Sequence, residues 1–304
     1  MKSRLQKLGL AIALAAICLV LSVLCPRTFP TFLNLINVAR QISINGILAV
    51  GVTFVILTGG VDLSLGSLVA LTGVIAATFG NEPAPIAILA GVLTGTLCGT
   101  ANGLVVTHGR VAPFIVTLGM MTIARGLALV VSKGRPIMIE NAAFNRLGGD
   151  LGIVPIPTIL FVVFAVLCWI FLAQTRLGRH VYAVGGNEEA ARAAGIGIVA
   201  VKTFVYTLCG AFAGFAGIVL AARITTGQPN AGIGYELDAI AAVVIGGTSL
   251  SGGVGGIGGT LLGALLMGVI NNGLDLMGVT SYYQQIVKGL IIVGAVLLDR
   301  QQAK

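Results

Sequence analysis

Charged residues are scarce in this sequence. Asp, Glu, Lys and Arg make up 9% of its 304 residues, against ~25% in a typical soluble domain, and 57% of the residues are apolar. This composition excludes an ordinary soluble domain and is typical of a protein that spans a membrane. The net charge of +8 comes from Lys and Arg residues spread over short polar segments. Because they are not gathered on one face, we expect no nucleic-acid partner.

Histidine and cysteine are scarce as well. The two histidines are single residues, and the five cysteines stand apart without a Cys-x-x-Cys or Cys/His spacing, so we expect no metal site. No Gly-x-x-x-x-Gly-Lys-Ser/Thr motif occurs, which excludes the usual phosphate-binding loop. No serine, histidine and aspartate set suggests a nucleophile with its base. We therefore expect a chain that is not an enzyme and carries no cofactor of its own.

Long apolar runs are abundant. Several approach the ~20 residues that a helix needs to cross the hydrocarbon core. They predict an all-α membrane helix bundle of about ten transmembrane helices in a single domain, residues 1–304. The predicted helices are 8–24, 42–58, 64–80, 85–106, 114–131, 158–173, 203–222, 237–247, 256–274 and 283–298.

The charges near the first apolar run predict its orientation. Lys2, Arg4 and Lys7 precede it, and basic residues tend to stay on the cytoplasmic side of a membrane. A cleaved signal peptide is the competing interpretation, but the run is long and lacks a small-residue cleavage site. With ten spans, both termini face the cytoplasm and the chain is a multi-pass protein surrounded by lipid.

Two glycine-rich segments interrupt the apolar pattern in the same way. Gly59–Ser67 reads GGVDLSLGS and Gly246–Val254 reads GGTSLSGGV, and each follows a short apolar segment. Matched interruptions in two halves of a chain indicate a transport pathway, because exposed backbone groups inside a membrane need protein or water as partners. Tight glycine packing explains either segment equally well when it is taken alone. We therefore predict two related halves that contribute to one translocation pathway.

Seven polar or charged side chains in apolar surroundings are candidates for that pathway. They are Asp62, Ser64, Asn102, Arg125, Ser251, Asn271 and Asn272. An ionisable group at membrane depth is a functional candidate, although Asp62 also suits a cap for the following helix, which we favour. The asparagines fit contacts to a polyol or hydrogen bonds between helices. Arg125 needs a partner or a cavity, whereas Lys288 lies near a helix end and can extend to the interface.

Four motifs carry a resemblance to a known family. They are VILTGGVDLSLGSLVALTG, YAVGGNEEAARAAGI, YELDAIAAVVIGGTSLSGG and NNGLDLMGVTSYYQQIVKG. They resemble the membrane-spanning permease subunits of bacterial ABC importers for monosaccharides, and the similarity extends over about residues 27–299. The resemblance implies a homodimer in the bacterial inner membrane, a separate tandem-domain ATPase that binds ATP, and an extracytoplasmic sugar-binding protein. It implies ATP-driven import of ribose or a related monosaccharide.

The resemblance also assigns a role to the charged stretch EAARAAG, Glu189–Gly195. It is similar to the Glu-Ala-Ala-x-x-x-Gly loop by which importer permeases dock onto their ATPases, although the usual Ile-x-Leu-Pro ending is replaced by IGIVAVK. Alanines favour a helix, early acidic residues suit its dipole and glycine suits its end. We expect a coupling helix within a cytoplasmic loop at 174–202; a solvated helix without a specific role is the alternative. Its candidate residues are Glu188, Glu189, Ala190, Ala191, Arg192 and Gly195.

The longest predicted outer segment, Ser132–Pro157, carries Lys133, Arg135 and Arg146. We expect these charges to dock acidic patches on the binding protein, with a plain connecting loop as the alternative. Two other classes compete with an ATP-driven importer. An ion-coupled secondary sugar transporter needs titratable carboxylates along its path, where only Asp62 is offered. An intramembrane enzyme needs a catalytic set that is missing.

Overall fold

The structure is a computed structural model that describes residues 2–302, with side-chain burial described for residues 8–294 and for Leu297. Met1, Ala303 and Lys304, which belong to the predicted 1–304 domain, lie outside the described residues. The side chains of the basic N-terminal residues on which the predicted orientation rests are also outside them.

The described part of the chain contains thirteen α-helices. They are α1 (Lys2–Leu24), α2 (Phe32–Leu57), α3 (Leu65–Thr78), α4 (Ala84–His108), α5 (Pro113–Ser132), α6 (Ala142–Asn145), α7 (Ile156–Gln174), α8 (Arg176–Gly186), α9 (Glu188–Ala193), α10 (Ile198–Ile224), α11 (Tyr235–Ile245), α12 (Ile257–Leu276) and α13 (Ser281–Gln302).

Strands are confined to four pieces of two residues each within the described chain. They are β1 (Ile137–Met138), β2 (Asp150–Leu151), β3 (Val154–Pro155) and β4 (Thr226–Gly227). β1 pairs with β4 and β2 with β3, both antiparallel. The pairing of β1 with β4 ties the connection between α5 and α7 to the segment that follows α10. The predicted helical membrane fold is therefore confirmed, with these short pairings added to it.

Each of the ten predicted segments overlaps a helix. Within the described residues, six helices are long and apolar enough to cross a membrane, namely α2, α4, α5, α7, α10 and α12. α3 and α11 have 14 and 11 residues, which is about 21 and 16 Å at ~1.5 Å per residue and too short for a hydrocarbon core of ~30 Å. The chain is thus a polytopic helical membrane protein, while the number of ten spans and the two related halves stay predictions.

The start of α2 differs most from its predicted position. The helix begins at Phe32, ten residues before the predicted start at 42, because Thr31 caps it by accepting a hydrogen bond from the backbone N–H of Asn34. Arg40 lies in the part of α2 that precedes the predicted start. In the structure its guanidinium pairs with the carboxylate of Asp150 on β2, so a charged residue within α2 has a partner of opposite charge.

α2 and α10 form the centre of the bundle. In their most apolar stretches, 83% and 72% of the residues are buried. In the corresponding stretches of α4, α5 and α7, only 22%, 17% and 28% of the residues are buried. The outer helices expose large apolar side chains, as expected where lipid is the solvent. Among them are Leu93, Leu97, Ile115, Ile123, Val162, Leu167 and Trp169.

α4 and α10 meet along a line of glycines. A Cβ added to Gly95 would lie 2.9 Å from the backbone N of Gly214, and one added to Gly99 would lie 2.9 Å from the Cα of Gly210. Small residues allow such close backbone approach, which supplies van der Waals packing that the hydrophobic effect does not supply within a bilayer.

We expect Gly95→Ala to lower stability by about 1–3 kcal/mol, because the added methyl overpacks this seam. Gly119→Ala on α5 is the matched control, since a Cβ there meets nothing within 4 Å. Thermal unfolding of the detergent-purified variants measures the difference. Equal melting temperatures for the two variants would show that the seam is not close-packed.

α3 and α11 each follow a stretch of non-helical backbone, at residues 58–64 and at residues 225–234, the second of which includes β4. The second stretch runs alongside α3. A Cβ on Gly227 would meet the Cα of Val74 at 2.9 Å, and one on Gly232 would meet the Cα of Gly66 at 3.2 Å. Gly232 and Gly234 have φ values of +71° and +83°, which favour glycine. Thr226, Gly227, Pro229 and Gly232 of this segment are therefore buried against the protein, whereas Thr225, Asn230 and Ile233 are exposed.

Candidate functional site

The predicted coupling loop 174–202 folds into two short helices, α8 and α9. Thr175 caps α8 by accepting a hydrogen bond from Gly178 N at 3.0 Å, and Asn187 caps α9 by accepting one from Ala190 N at 2.9 Å. Asn187 is also the last cap of α8, so a single residue joins the two helices. Gly195 has φ +81°, the left-handed conformation expected at the end of this helix.

α9 presents a small, mixed face to its surroundings. Glu189, Ala190, Arg192 and Gly195 are exposed, whereas Ala191 is only 4% exposed and packs into the protein's own core. Ala191 therefore supports the helix from behind and cannot itself contact a partner. Six residues are too few for the helical period to have predicted this inward orientation.

Glu188 ties α9 to the next membrane helix. Its carboxylate accepts from Arg192 at 3.1 Å and from Lys202 on α10. The hydrogen bond from Lys202 lowers the pKa of Glu188 below its usual value, and the charges of Lys202 and Arg192 lower it further. The two ion pairs are therefore intact at neutral pH and are lost only as the pH falls through that lowered pKa.

A groove of about 780 Å³ lies beside α9, between the α4–α5 connection and the start of α10. Arg110, Arg192 and Lys202 line it together with Glu188 as the acidic member. Cations thus outnumber the one carboxylate at this groove. An acidic side chain of a docking partner fits it by charge complementarity.

Asp62, Ser64 and Asn102 form one buried polar cluster. Asp62 Oδ1 accepts from the backbone N of Ser64 at 2.9 Å and from its Oγ at 2.6 Å, and Asn102 on α4 donates to the same hydroxyl at 3.1 Å. All three are at most 1% exposed. Asp62 thus holds Ser64, the residue that immediately precedes α3, and, contrary to the prediction, does not reach the N–H groups of the first helical turn.

Asn271 and Asn272 are neighbours on α12 with different partners. Asn272 exchanges two amide hydrogen bonds with Asn34 on α2, at 3.0 and 2.9 Å. Asn271 donates to Asp238 Oδ2 at 3.4 Å. Both arrangements match hydrogen bonding between helices, the alternative left open by the sequence.

Asp238, which sequence reasoning missed, brings four helices together. This carboxylate on α11 is 2% exposed, and its Oδ2 accepts from Lys288 Nζ on α13 at 2.8 Å and from Asn45 on α2 at 3.4 Å, besides Asn271. Lys288 does not extend to the interface as predicted, because a buried carboxylate needs it as a partner. The signal in the sequence was the acidic pair Glu236 and Asp238 at the start of α11 and the base Lys288 within α13.

Arg125 finds its partner in irregular backbone. Its Nη1 donates to the carbonyl oxygens of Pro229 at 2.6 Å and Ala231 at 2.8 Å. These carbonyls belong to the 225–234 segment that precedes α11. A guanidinium inside α5 thus satisfies backbone acceptors that have no helical partner.

The two glycine motifs meet in space, although Gly59 and Gly252 are far apart in the sequence. Gly253 N donates to Leu57 O at 2.9 Å, and a Cβ on Gly252 would lie 2.9 Å from Gly59 N. Ser251 and Gly59 are both exposed, and the backbone carbonyl oxygen of Ser251 lies 3.6 Å from a Cβ placed on Gly59. The contact lies at the end of α2, next to α8.

The segment between α5 and α7 displays its basic residues. Lys133, Arg135 and Arg146 are exposed, and so are the two acids of the same segment, Glu140 and Asp150. Among the described residues, no group of three or more His, Cys, Asp or Glu side chains is placed to hold a metal ion.

The family model that matches the chain describes a branched-chain amino acid transport system permease component, and it covers residues 34–296. The chain belongs to this permease family. Together with the six long apolar helices, this membership indicates a multi-pass integral protein of the bacterial inner membrane.

Relatives of known function are similar over nearly the whole chain. The ribose import permease of Bacillus subtilis (strain 168) is 48% identical, covering 98% of this chain and 94% of its own. The ribose import permease of Escherichia coli (strain K12) is 49% identical, over 96% and 92%. The D-allose transport system permease of Escherichia coli (strain K12) is 38% identical, over 98% and 93%. No solved structure matches the chain.

Proposed function

We propose that this chain is the permease subunit of an ATP-driven importer for ribose or a related monosaccharide. The observation that carries the proposal is the near full-length similarity to ribose import permeases at 48–49% identity, against 38% for the allose permease. ATP binds to a separate tandem-domain ATPase, and an extracytoplasmic binding protein delivers the sugar. Two copies of the chain form the membrane unit, with both termini in the cytoplasm.

The coupling loop 174–202 is the proposed ATPase contact. Three features support it: α9 exposes small and charged side chains, Gly195 fixes the end of the helix, and the basic groove beside it suits an acidic partner. Within the candidate set, Glu189, Ala190 and Arg192 are the contact residues. Glu188, Ala191 and Gly195 hold them in place.

The translocation pathway is proposed to run beside the two irregular segments before α3 and α11. Asp62, Ser64 and Asn102 shape the first segment, and Arg125 shapes the second. Asn271 and Asn272 fix α12 next to them, and Ser251 belongs to the contact between the glycine motifs. In this assignment the residues act by holding backbone in position, since all but Arg125 and Ser251 are buried.

Uptake of labelled ribose tests the substrate. A strain that lacks its own ribose permease is complemented with this chain, its ATPase and its binding protein. We expect uptake to be restored, and to be reduced by excess unlabelled ribose but not by excess allose or arabinose. Restored uptake of a different sugar, with none of ribose, would replace ribose as the proposed cargo.

The basic segment between α5 and α7 is the proposed docking site for the binding protein. We expect the triple variant Lys133→Gln, Arg135→Gln and Arg146→Gln to raise the binding-protein concentration for half-maximal ATPase stimulation by about threefold to tenfold. Exposed charge pairs contribute ~0.2–1 kcal/mol each, and steering charges raise association rates. The difference shrinks at high salt, because salt screens exposed charges.

Glu140→Gln is the control for this variant, since it removes a charge of the opposite sign from the same exposed segment. It is expected to leave the half-maximal concentration unchanged or lower it. An unchanged half-maximal binding-protein concentration in the triple variant would show that the segment is only a connection between α5 and α7.

A further inference from the structure

Three separate parts of the chain meet backbone to backbone at one place, which we call the glycine junction. It consists of the end of α2 at Leu57 and Gly59, Gly185 near the end of α8, and Gly252 and Gly253 between α11 and α12. Gly253 N donates to Leu57 O at 2.9 Å. A Cβ on Gly185 would collide with Leu57 O and lie 2.6 Å from Gly253 N. Any side chain at position 185 would therefore push the three parts away from one another.

A second contact joins two of these parts, α8 and the segment between α11 and α12, one helical turn away. Tyr182 on α8 donates its hydroxyl to Gly255 O at 3.0 Å. On this side of the loop lies a cavity of about 460 Å³, lined by Trp169, Tyr182 and residues of 246–259. The loop between α11 and α12 is therefore held by α8 but has space into which it can move.

The junction connects the coupling loop with both glycine-rich segments, Gly59–Ser67 and Gly246–Val254. α9 passes its position to α8 through Asn187, which caps both helices. α8 contacts Leu57, after which the chain continues through Gly59 to α3, and Gly253, which lies between α11 and α12. Backbone contacts contain no rotatable side chain that could absorb a displacement, and close-packed interiors transmit strain.

We propose that the glycine junction transmits movement of α9 to the two glycine-rich segments, Gly59–Ser67 and Gly246–Val254, at the same time. Gly185 and Tyr182 are its positioning residues. The inference rests on the proposed function, because it needs α9 to contact an ATPase. The proposal gives the two glycine motifs a role beyond close packing, because a single displacement of α8 would move both of them. The number of sugar molecules imported per ATP hydrolysed depends on such a joint, whereas a purely structural contact changes only the amount of folded protein.

Gly185→Ala and Gly186→Ala form a matched pair in the same helix. A Cβ on Gly185 meets three backbone atoms, whereas a Cβ on Gly186 meets nothing within 4 Å. The variants are assembled with the ATPase and binding protein in liposomes, and sugar imported per ATP hydrolysed is measured at equal amounts of complex. We expect the ratio to fall about tenfold for Gly185→Ala, the change that ~1.4 kcal/mol produces in an equilibrium. Gly186→Ala should match the wild type.

Tyr182→Phe keeps the test decisive if Gly185→Ala does not assemble. It removes one hydroxyl and one hydrogen bond without adding volume, and we expect a fall in the ratio of about threefold, because a single neutral hydrogen bond makes a modest net contribution. A wild-type ratio in assembled Gly185→Ala, or in Tyr182→Phe, would overturn the junction as a joint while leaving the importer intact. Absence of ATP-dependent import in the wild type and Gly186→Ala alike would overturn the proposed function and the joint with it.

Discussion

Gly195→Val will abolish most sugar uptake without lowering the amount of permease in the membrane. Gly195 has φ +81°, and a Cβ there meets nothing within 4 Å, so the effect comes from backbone conformation alone. The left-handed conformation costs an L-residue about 1–2 kcal/mol, and more for a β-branched side chain. The chain leaves α9 by a different path, which moves the exposed face that we assign to the ATPase contact.

Gly195→Ala and Gly197→Ala provide the matched comparison. Gly197 has φ −72° and a Cβ there is at an ordinary 3.8 Å from Ala200 Cβ, so alanine fits without strain. We expect intermediate uptake for Gly195→Ala and near wild-type uptake for Gly197→Ala, measured at equal membrane levels. Wild-type uptake in Gly195→Val would show that the end of α9 does not matter for coupling.

Ala190→Trp separates docking from folding. Ala190 is exposed, so a large side chain there leaves the permease intact but blocks a partner that sits against α9. We expect the variant to purify at normal yield without the ATPase. The same change at Ala191 would disturb the permease's own core and could not distinguish the two effects, because Ala191 is buried.

Lys288→Met is expected to destabilise the permease by about 3–5 kcal/mol, the usual cost of leaving a buried charge without its partner. Asp238 would then keep only two amide contacts of 3.4 Å to the oxygen that Lys288 had neutralised. Thermal unfolding is followed by the reaction of a thiol probe with Cys168 and Cys209, which are free and buried in the folded state.

The double variant Asp238→Asn with Lys288→Met is the second arm of this test. Removing both charges is expected to restore most of the lost stability, because a buried pair replaced by neutral groups leaves no unpaired charge. Arg192→Ala, which breaks an exposed pair with Glu188, should cost ~1 kcal/mol or less. A double variant as unstable as Lys288→Met would show that the ion pair is not what holds α13 against α11.

The positions of the helices could be predicted from the sequence, because length and hydropathy are local properties. All ten predicted segments overlap helices, and the left-handed end of α9 at Gly195 was also predictable, since glycine is the residue that this conformation favours. The first turns of α2, residues 32–41, were missed, and this part of the helix contains the charged Arg40. Its partner Asp150 is 110 residues away.

The contacts that build the candidate site could not be predicted in the same way. Asn34 and Asn272 are 238 residues apart, and Lys288 and Asp238 are 50 apart, so no local pattern pairs them. The glycine motifs were recognisable as a matched pair, but not as parts in contact with each other and with α8. That depends on the packing of α2 and α8 against the segment after α11, which is a property of the whole bundle.

Import of labelled ribose into proteoliposomes is the most direct test of the proposed function. The liposomes contain this permease, its ATPase and its binding protein, and ionophores collapse the proton and sodium gradients. We expect import that requires both ATP and the binding protein and continues without ion gradients. Import that an imposed proton or sodium gradient drives in the absence of ATP would contradict an ATP-driven importer and establish an ion-coupled secondary transporter.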